Sequence, residues 1–180
     1  MIVSYGYHVL PTSNLDASSI SSFSSFEDHS VAITSSGELL SIGRNSDGRI
    51  SQSVPSKTLQ DFIKYEIEDS QNHKCTPISA VCCNKCTIYL VSIQGDNKNH
   101  LFYASNKIKS NHPVILNIGN NNPIAIYGGY VNAAAISEEG SIIFIPQLID
   151  NSSTINLEAT SLPGEKKQSA LHAVIIIFLL

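Results

Sequence analysis

Of all the side chains in this sequence, the four cysteines come nearest to forming a chemical site. They lie within twelve residues, at Cys75, Cys82, Cys83 and Cys86, with His73 close by. Cys83 and Cys86 form a C-x-x-C pair, a spacing at which two thiolates can bind one tetrahedral zinc ion. A closed zinc site needs a second pair of ligands, and the chain has no further cysteine. Because Cys82 and Cys83 are neighbours in an apparent strand, their side chains should also face opposite ways. We therefore predict that the chain carries no stoichiometric zinc.

A redox role for the same C-x-x-C pair is the second chemistry to consider. Redox-active pairs of this kind lower the pKa of a thiol with the positive end of a helix. Here Cys86 leads into Thr87-Ile88-Tyr89-Leu90, whose β-branched and aromatic residues are typical of a strand. We therefore interpret the cysteines as small buried hydrophobic residues of a protein from a reducing compartment.

Residue types of a hydrolase triad occur together in Glu27-Asp28-His29-Ser30. Consecutive residues of an extended strand cannot converge on one reacting atom, because alternate side chains diverge. Gly128-Gly129 is not followed by the Gly-Lys-Ser/Thr of a phosphate-binding loop. The scattered His8, His100 and His112 read as surface or turn residues. The sequence thus predicts no catalytic residue, no cofactor site and no metal site.

The composition favours strands and turns over helices. Apolar residues make up 42% of the 180 residues, and charged residues only 14%, below a typical share of about 25%. The segment 60–68 is the best candidate for a helix, and it is short. A net charge of −4 argues against a general nucleic-acid binder, which needs a basic surface.

The two ends of the sequence give no sign of a membrane protein. The first ten residues, MIVSYGYHVL, lack the basic start and the cleavage site of a secretory signal. The apolar run at 170–180, ALHAVIIIFLL, is shorter than the roughly 20 residues that a spanning helix needs. We interpret it as a buried strand, and we expect a cytoplasmic or nuclear protein.

A β-hairpin with a glycine in its turn recurs three times. Gly37, Gly95 and Gly140 mark the turns, so the repeat period is 58 residues and then 45 residues. The strands are predicted at 31–34 and 39–42, at 87–92 and 101–104, and at 132–137 and 141–145. Repetition of a small sheet at this spacing predicts an all-β fold built radially or linearly. The predicted core consists of Ala32, Ile33, Leu40, Ile88, Leu90, Phe102, Ala134, Ile136, Ile143 and Phe144.

Residues 28–51, DHSVAITSSGELLSIGRNSDGRIS, resemble the repeat of the regulator of chromosome condensation family. The matching positions in this best copy are His29, Ser30, Gly37, Gly43, Asn45 and Gly48, and the other copies keep Gly95, Gly129 and Gly140. Ile42 replaces the tryptophan of the family pattern, and Arg49-Ile50-Ser51 replaces its Gln-Leu-Gly. The resemblance implies a structural role for His29 and Ser30, which tie neighbouring turns together in the family.

The resemblance also implies a β-propeller, which in the family has seven four-stranded blades. This chain carries repeats at about 26–75, 76–125 and 126–168, with partial copies at 1–10 and 169–180. We therefore predict a single partial domain over 1–180, an incomplete β-propeller that forms an open arc of about three blades. Unpaired strand edges at both ends should favour self-association or a partner strand.

Three functions are compatible with these features. The first is a non-catalytic interaction or scaffold module that binds a protein partner, since no catalytic cluster exists. The second is guanine-nucleotide exchange on a small GTPase, which the resemblance implies through the best-known family member. In the third, the chain is a fragment of a longer regulatory protein, in which such repeats precede a kinase or ubiquitin-ligase domain. No cofactor and no nucleic-acid partner is expected.

Overall fold

The computed structural model describes residues 16–46, 48–51, 57–105, 112–147 and 155–160. The partial repeats predicted at 1–10 and 169–180, together with the apolar run at 170–180, lie outside these residues. Within the described ranges, no helix has both the length and the apolar character needed to cross a bilayer.

Strands dominate the described part of the chain. A 3-10 turn at Ala17–Ser19 precedes the first of them. In chain order they are β1 (Ile20–Phe26), β2 (His29–Thr34), β3 (Leu39–Arg44), β4 (Thr58–Tyr65), β5 (Ile67–Glu68), β6 (Lys74–Cys83), β7 (Cys86–Ile93), β8 (Asn99–Ser105), β9 (Val114–Asn117), β10 (Pro123–Gly128), β11 (Ala133–Ser137), β12 (Ile142–Ile145), β13 (Ile155–Asn156) and β14 (Ala159–Thr160). The predicted all-β class is confirmed.

These strands form three blades, each an antiparallel meander of four strands. Blade 1 has the order β1-β2-β3-β4, blade 2 has β6-β7-β8-β9, and blade 3 has β10-β11-β12-β14. Blade 2 is extended at both edges, by β5 beside β6 and by β13, which runs parallel to β9. The first strands of the blades are the inner ones, because β6 packs against both β1 and β10. The blades thus form an open arc around the inner strands.

All six predicted hairpin strands are confirmed, with ends within two residues of the predicted bounds. Gly37, Gly95 and Gly140 have φ values of +80°, +89° and +85° in the turns, a conformation that favours glycine. No helix forms at 60–68, the segment that came nearest to a helix pattern. Most of that segment is the outer strand β4, which pairs with β3 from Thr58–Arg44 to Tyr65–Leu39. Cross-strand hydrogen bonding to β3 outweighs the weak local helix pattern there.

Two apolar clusters hold the blades together. Val31, Tyr89 and Phe102 belong to the cluster between blades 1 and 2, and Leu90 and Ile143 belong to the cluster between blades 2 and 3. Blade 2 is therefore apolar on both faces. This accounts for adjacent buried residues along its strands.

Seven of the ten predicted core residues are buried: Ala32, Ile33, Ile88, Leu90, Phe102, Ala134 and Ile143. Leu40 and Ile136 are only half-buried. The prediction for Phe144 is wrong, since its exposure is 42%. Strand alternation places Phe144 opposite to Ile143, on the face of blade 3 that points away from blade 2.

Candidate interaction face

One end of the arc, which we call the junction face, carries three similar connections. Each connection joins the inner strand of a blade to the next strand of the same blade. They are the turns 27–28 and 84–85 and the loop 129–132. Glu27 and Lys85 hold the turns with φ values of +45° and +63°. The junction face therefore combines backbone from all three blades.

Tyr130 of the loop 129–132 lies where the three blades meet. Its carbonyl oxygen accepts a hydrogen bond from the Asn84 backbone N–H of blade 2 at 2.8 Å. Its ring makes an edge-to-face contact with Phe26 of blade 1, with ring centroids 5.4 Å apart. Gly129 closes the loop through its N–H, which donates to the Asn132 carbonyl oxygen at 2.8 Å. Tyr130 is nevertheless 61% exposed, so it is a fixed aromatic ring presented to solvent.

A buried polar network behind these turns joins blade 1 to blade 2. His29 Nε2 lies 3.1 Å from Thr87 Oγ1. The Thr87 hydroxyl donates its one hydrogen to the Arg49 carbonyl oxygen at 2.6 Å. Since that hydrogen is used, His29 Nε2 must be the donor to Thr87. The Arg49 guanidinium, which is almost fully buried, donates to Asp28 Oδ1 at 2.6 Å.

The network favours a protonated His29. Its Nδ1 has no hydrogen-bond partner and lies 3.6 Å from Asp28 Oδ1. A neutral ring with hydrogen on Nε2 would point the Nδ1 lone pair at the carboxylate, whereas a protonated ring forms an ion pair. Burial opposes the charge, but the Cys82 and Asp28 side chains outweigh burial and raise the pKa of His29 to about 9. For Asp28, burial is likewise outweighed by His29 and Arg49, which lower the pKa of its carboxyl group.

The contacts between blades 1 and 2 join equivalent positions of the repeat. His29 and Thr87 are 58 residues apart, the interval between the turn glycines Gly37 and Gly95. Ser24 and Cys82 are separated by the same interval, and Ser24 Oγ accepts a hydrogen bond from the Cys82 backbone N–H at 2.8 Å. Thr87 thus occupies the position in the second copy that His29 occupies in the first.

Asn45 organises the loop that follows β3. Its Oδ1 accepts from the Ile50 N–H at 2.9 Å, and its Nδ2 donates to the Ser51 carbonyl oxygen at 3.0 Å. The Gly48 N–H donates to the Asn45 carbonyl oxygen at 3.0 Å. Tyr89 of blade 2 donates its hydroxyl hydrogen to the Ile50 carbonyl oxygen at 2.6 Å. This loop is therefore fixed to the neighbouring blade.

The structure separates the residues of the hydrolase-like segment. Ser30 Oγ donates to Ser25 Oγ at 2.8 Å, within blade 1, while the adjacent His29 reaches blade 2. Adjacent strand residues point to opposite sides, so Ser30 and His29 do not converge. The segment serves the interface between two blades instead.

The four cysteines are buried, and their sulfurs are free of disulfides. Cys82 packs in the cluster between blades 1 and 2, and Cys83 in the cluster between blades 2 and 3. Their predicted opposite orientation is confirmed. Within the described ranges, no three His, Cys, Asp or Glu residues come together as ligands for a metal ion. Absence of zinc remains a prediction for the purified chain.

On the end opposite the junction face, a cleft of about 380 Å³ lies between blades 1 and 2. Its mouth is crossed by two ion pairs, Lys64–Glu38 at 2.5 Å and Lys74–Glu66 at 2.6 Å. The charges pair with each other. The cleft therefore offers no uncompensated charge to a ligand.

Sequence reasoning did not single out Arg49, Thr87 or Tyr130. Arg49 replaces the glutamine of the family repeat, which was the available signal for a changed role. Thr87 has no signal of its own, because its partner is 58 residues away. Tyr130 follows a Gly-Gly pair, and such a pair indicates a loop rather than an exposed aromatic anchor.

Comparison with known proteins identifies the fold. No family model matches the chain, and no curated protein sequence does. Human WBSCR16 has a similar structure, with a TM-score of 0.58 and 14% identity over 79% of this chain and 40% of its own. Prp20p from Saccharomyces cerevisiae, in a structure described with its binding to Gsp1p and histones, has a TM-score of 0.51 and 13% identity. The match covers 90% of this chain and 48% of Prp20p. Yeast RCC1 (Prp20) bound to Kap60 has a TM-score of 0.50 and 12% identity, and the match covers 81% of this chain and 37% of that chain.

These similarities show the fold alone, because the identities are low. They confirm the predicted incomplete β-propeller of the regulator of chromosome condensation type. The chain spans less than half of the length of each of these solved structures.

Proposed function

We propose that this chain is a non-catalytic protein-interaction or scaffold module whose junction face binds a protein partner. The observation that carries the proposal is Tyr130, whose ring contacts blade 1, whose carbonyl group is bound by blade 2, and whose side chain belongs to a residue still 61% exposed. Rigid aromatic side chains supply much of the binding energy at protein interfaces, since they bury a large area at low entropic cost.

The surroundings of Tyr130 suit a protein partner. Lys85 and Glu27 are exposed beside it, and the Arg44 side chain is 51% exposed on the same end of the arc. A ring of mixed charges around an aromatic residue is the usual anatomy of a protein interface. With a net charge of −4, a nucleic-acid partner is not expected.

The similar structures support a protein as the partner. Prp20p was solved with reference to its binding to Gsp1p and histones, and Prp20 was also solved with Kap60 bound. The proposed location, cytoplasmic or nuclear, agrees with a partner of this kind. The identity of the partner does not carry over to a chain with 13% identity.

Exchange of guanine nucleotide on a small GTPase is the alternative, favoured by the likeness to Prp20p. The chain spans 48% of Prp20p, and the exchange surface of the family extends over several blades. We therefore expect no acceleration of nucleotide release when the chain is added to a GTPase loaded with fluorescent GDP. If the wild type accelerates nucleotide release and Tyr130→Ala does not, the exchange function takes the place of the scaffold proposal.

The scaffold proposal is tested by parallel affinity purification of the wild type, Tyr130→Ala and Phe144→Ala. Phe144 is the matched control, since it is a partly exposed aromatic residue on the outward face of blade 3. A partner of the junction face is retained by wild type and Phe144→Ala. Its affinity for Tyr130→Ala falls by about 2 kcal/mol or more, which is more than tenfold. A partner bound equally by all three proteins argues against this face.

A further inference from the structure

Cys83 and Cys86 stand directly opposite each other across the turn 84–85 of blade 2. Opposite residues of antiparallel strands have Cα atoms about 4.5–5.5 Å apart, within the range of about 4.4–6.8 Å that a disulfide requires. Both side chains are buried in the cluster between blades 2 and 3.

The surroundings of Cys86 favour its thiolate. The adjacent Cys83 side chain lowers the pKa of the Cys86 thiol and outweighs the opposing effect of burial; Tyr103, His29 and Arg49 lower it further. The positive charge that the sequence argument sought at a helix terminus thus comes from His29 and Arg49 of blade 1. A reactive cysteine needs this kind of electropositive environment.

We propose that Cys83 and Cys86 are an oxidation site, at which hydrogen peroxide converts the two thiols into a reversible disulfide. In the first step the Cys86 thiolate attacks one peroxide oxygen and the O–O bond breaks. This step forms the Cys86 sulfenic acid and, after protonation of the leaving hydroxide, one water. In the second step the Cys83 sulfur attacks the Cys86 sulfur, and the hydroxyl group leaves with the Cys83 proton as a second water. One peroxide is reduced and two thiols are oxidised.

Burial makes the site selective for a small oxidant. Cys83 and Cys86 are 0% and 1% exposed, so a bulky disulfide reagent cannot reach them in the folded chain, whereas peroxide is nearly as small as water. The other two cysteines lie outside this pair. Burial raises the pKa of the Cys75 thiol to about 11, and the Cys82 thiol donates to the Ser24 carbonyl oxygen at 3.4 Å on the other face of the blade.

Oxidation would remove a hydrogen bond that holds the loop 129–132. The Cys83 thiol donates its one hydrogen to the Asn132 carbonyl oxygen of that loop, with sulfur and oxygen 3.7 Å apart. A disulfide has no thiol hydrogen, so this link between blades 2 and 3 is lost on oxidation. The proposed site stands independently of any partner of the junction face.

The test is peroxide treatment of the folded full-length chain, followed by thiol counting and peptide mapping. Two of the four thiols should be lost, and reductant should restore both. After unfolding and alkylation of the remaining thiols, trypsin cuts at Lys74, Lys85 and Lys98, so Cys83 and Cys86 fall in the separate peptides 75–85 and 86–98. A cross-link between these peptides is the expected product. A disulfide confined to peptide 75–85, or four surviving thiols, would overturn the proposal.

Three variants define the site. Cys82→Ser, the matched control, should still form the cross-link, which excludes a Cys82–Cys86 bond. Cys83→Ser should stop at a Cys86 sulfenic acid, which dimedone traps when it is added as the chain is unfolded. Tyr103→Phe keeps the ring and removes the hydroxyl donor, so oxidation should be about fivefold slower, the effect of one hydrogen bond. If Tyr103→Phe and the wild type oxidise at the same rate, the result contradicts the proposed activation of the Cys86 thiol.

Discussion

Gly43 lies where β3 passes closest to the turn 27–28. Its φ is +98°, and a Cβ there would overlap the Asp28 carbonyl oxygen and lie 2.8 Å from His29 Cα. The Asp28 oxygen also accepts the Arg44 N–H at 2.7 Å. Gly43→Ala should therefore lower the free energy of unfolding by about 3 kcal/mol or more, from backbone strain and overlap together. Urea denaturation measures the loss.

Gly37→Ala is the matched control for Gly43→Ala. Gly37 has a φ of +80°, and nothing lies within 4 Å of a Cβ at that position. Its loss should be about 1 kcal/mol, the cost of the left-handed conformation alone. Equal losses of unfolding free energy for the two variants would show that the close approach of β3 to the turn 27–28 adds nothing to the cost of Gly43→Ala.

His29 should make stability depend on pH. Its pKa is about 9 in the folded chain, against about 6.5 when unfolded. Because the folded state binds the proton more tightly, the stabilisation is complete below pH 6.5 and is lost as the pH rises through 9. The loss should be about 3 kcal/mol, measured by urea denaturation between pH 6 and pH 9.5. The pH range of this loss is set by the groups that face the His29 ring, which are Asp28, Arg49, Cys82 and Thr87.

His29→Gln separates this contribution from other titrations. Glutamine can still donate a hydrogen bond to Thr87 but takes up no proton in this range. The variant should be less stable than wild type at pH 6 and nearly flat between pH 6 and pH 9. A wild-type curve that rises over this range would contradict a protonated His29.

Each strand of blade 3 has one face toward blade 2 and one face away from it, and neighbouring residues of β12 test this assignment. Ile143 is fully buried between blades 2 and 3, whereas its neighbour Phe144 is 42% exposed. Ile143→Ala should lower the free energy of unfolding by about 2–4 kcal/mol. Phe144→Ala, although it removes a larger side chain, should cost less than Ile143→Ala in the same thermal or urea titration. The reverse order would mean that the register of β12 is wrong by one residue.

The elements that the sequence predicted are those defined by local pattern. The hairpin strands alternate or are wholly apolar, and Gly37, Gly95 and Gly140 mark their turns, so each hairpin could be read without its neighbours. The inner strand β1, ISSFSSF, and the outer strand β4 lack such a pattern. They are strands because β2 and β3 pair with them.

The same distinction holds for the candidate site. His29, Asn45 and Gly43 were recognisable because they belong to a repeated motif. Tyr130 and Thr87 were not, because their positions depend on how the blades pack. The contact of Phe26 with Tyr130 joins the first blade to the third, and no local pattern in the sequence encodes such a distance.

In the part of the chain that the structure describes, the three blades pack face to face as an arc, so blade 3 has a face that blade 2 does not cover. Tyr127, Ala134 and Phe144 form one cross-strand row of that face. Half-buried Ile136 and buried Ile142 pack beside Ala134. Adjacent blades of this fold bury faces of this kind against each other, as the cluster between blades 2 and 3 does here.

We therefore expect the chain to self-associate through the outward face of blade 3. Light scattering at increasing concentration should show a rising average mass, since self-association would remove the apolar side chains of this face from water. Phe144→Glu should abolish the rise, because a charge on this face would be buried without a partner. Ile124→Glu is the matched control: Ile124 is 52% exposed at a bulge of the inner strand β10, and its variant should associate as wild type does. A monomer at every concentration would contradict self-association, whereas equal association of both variants would place the contact elsewhere in the molecule.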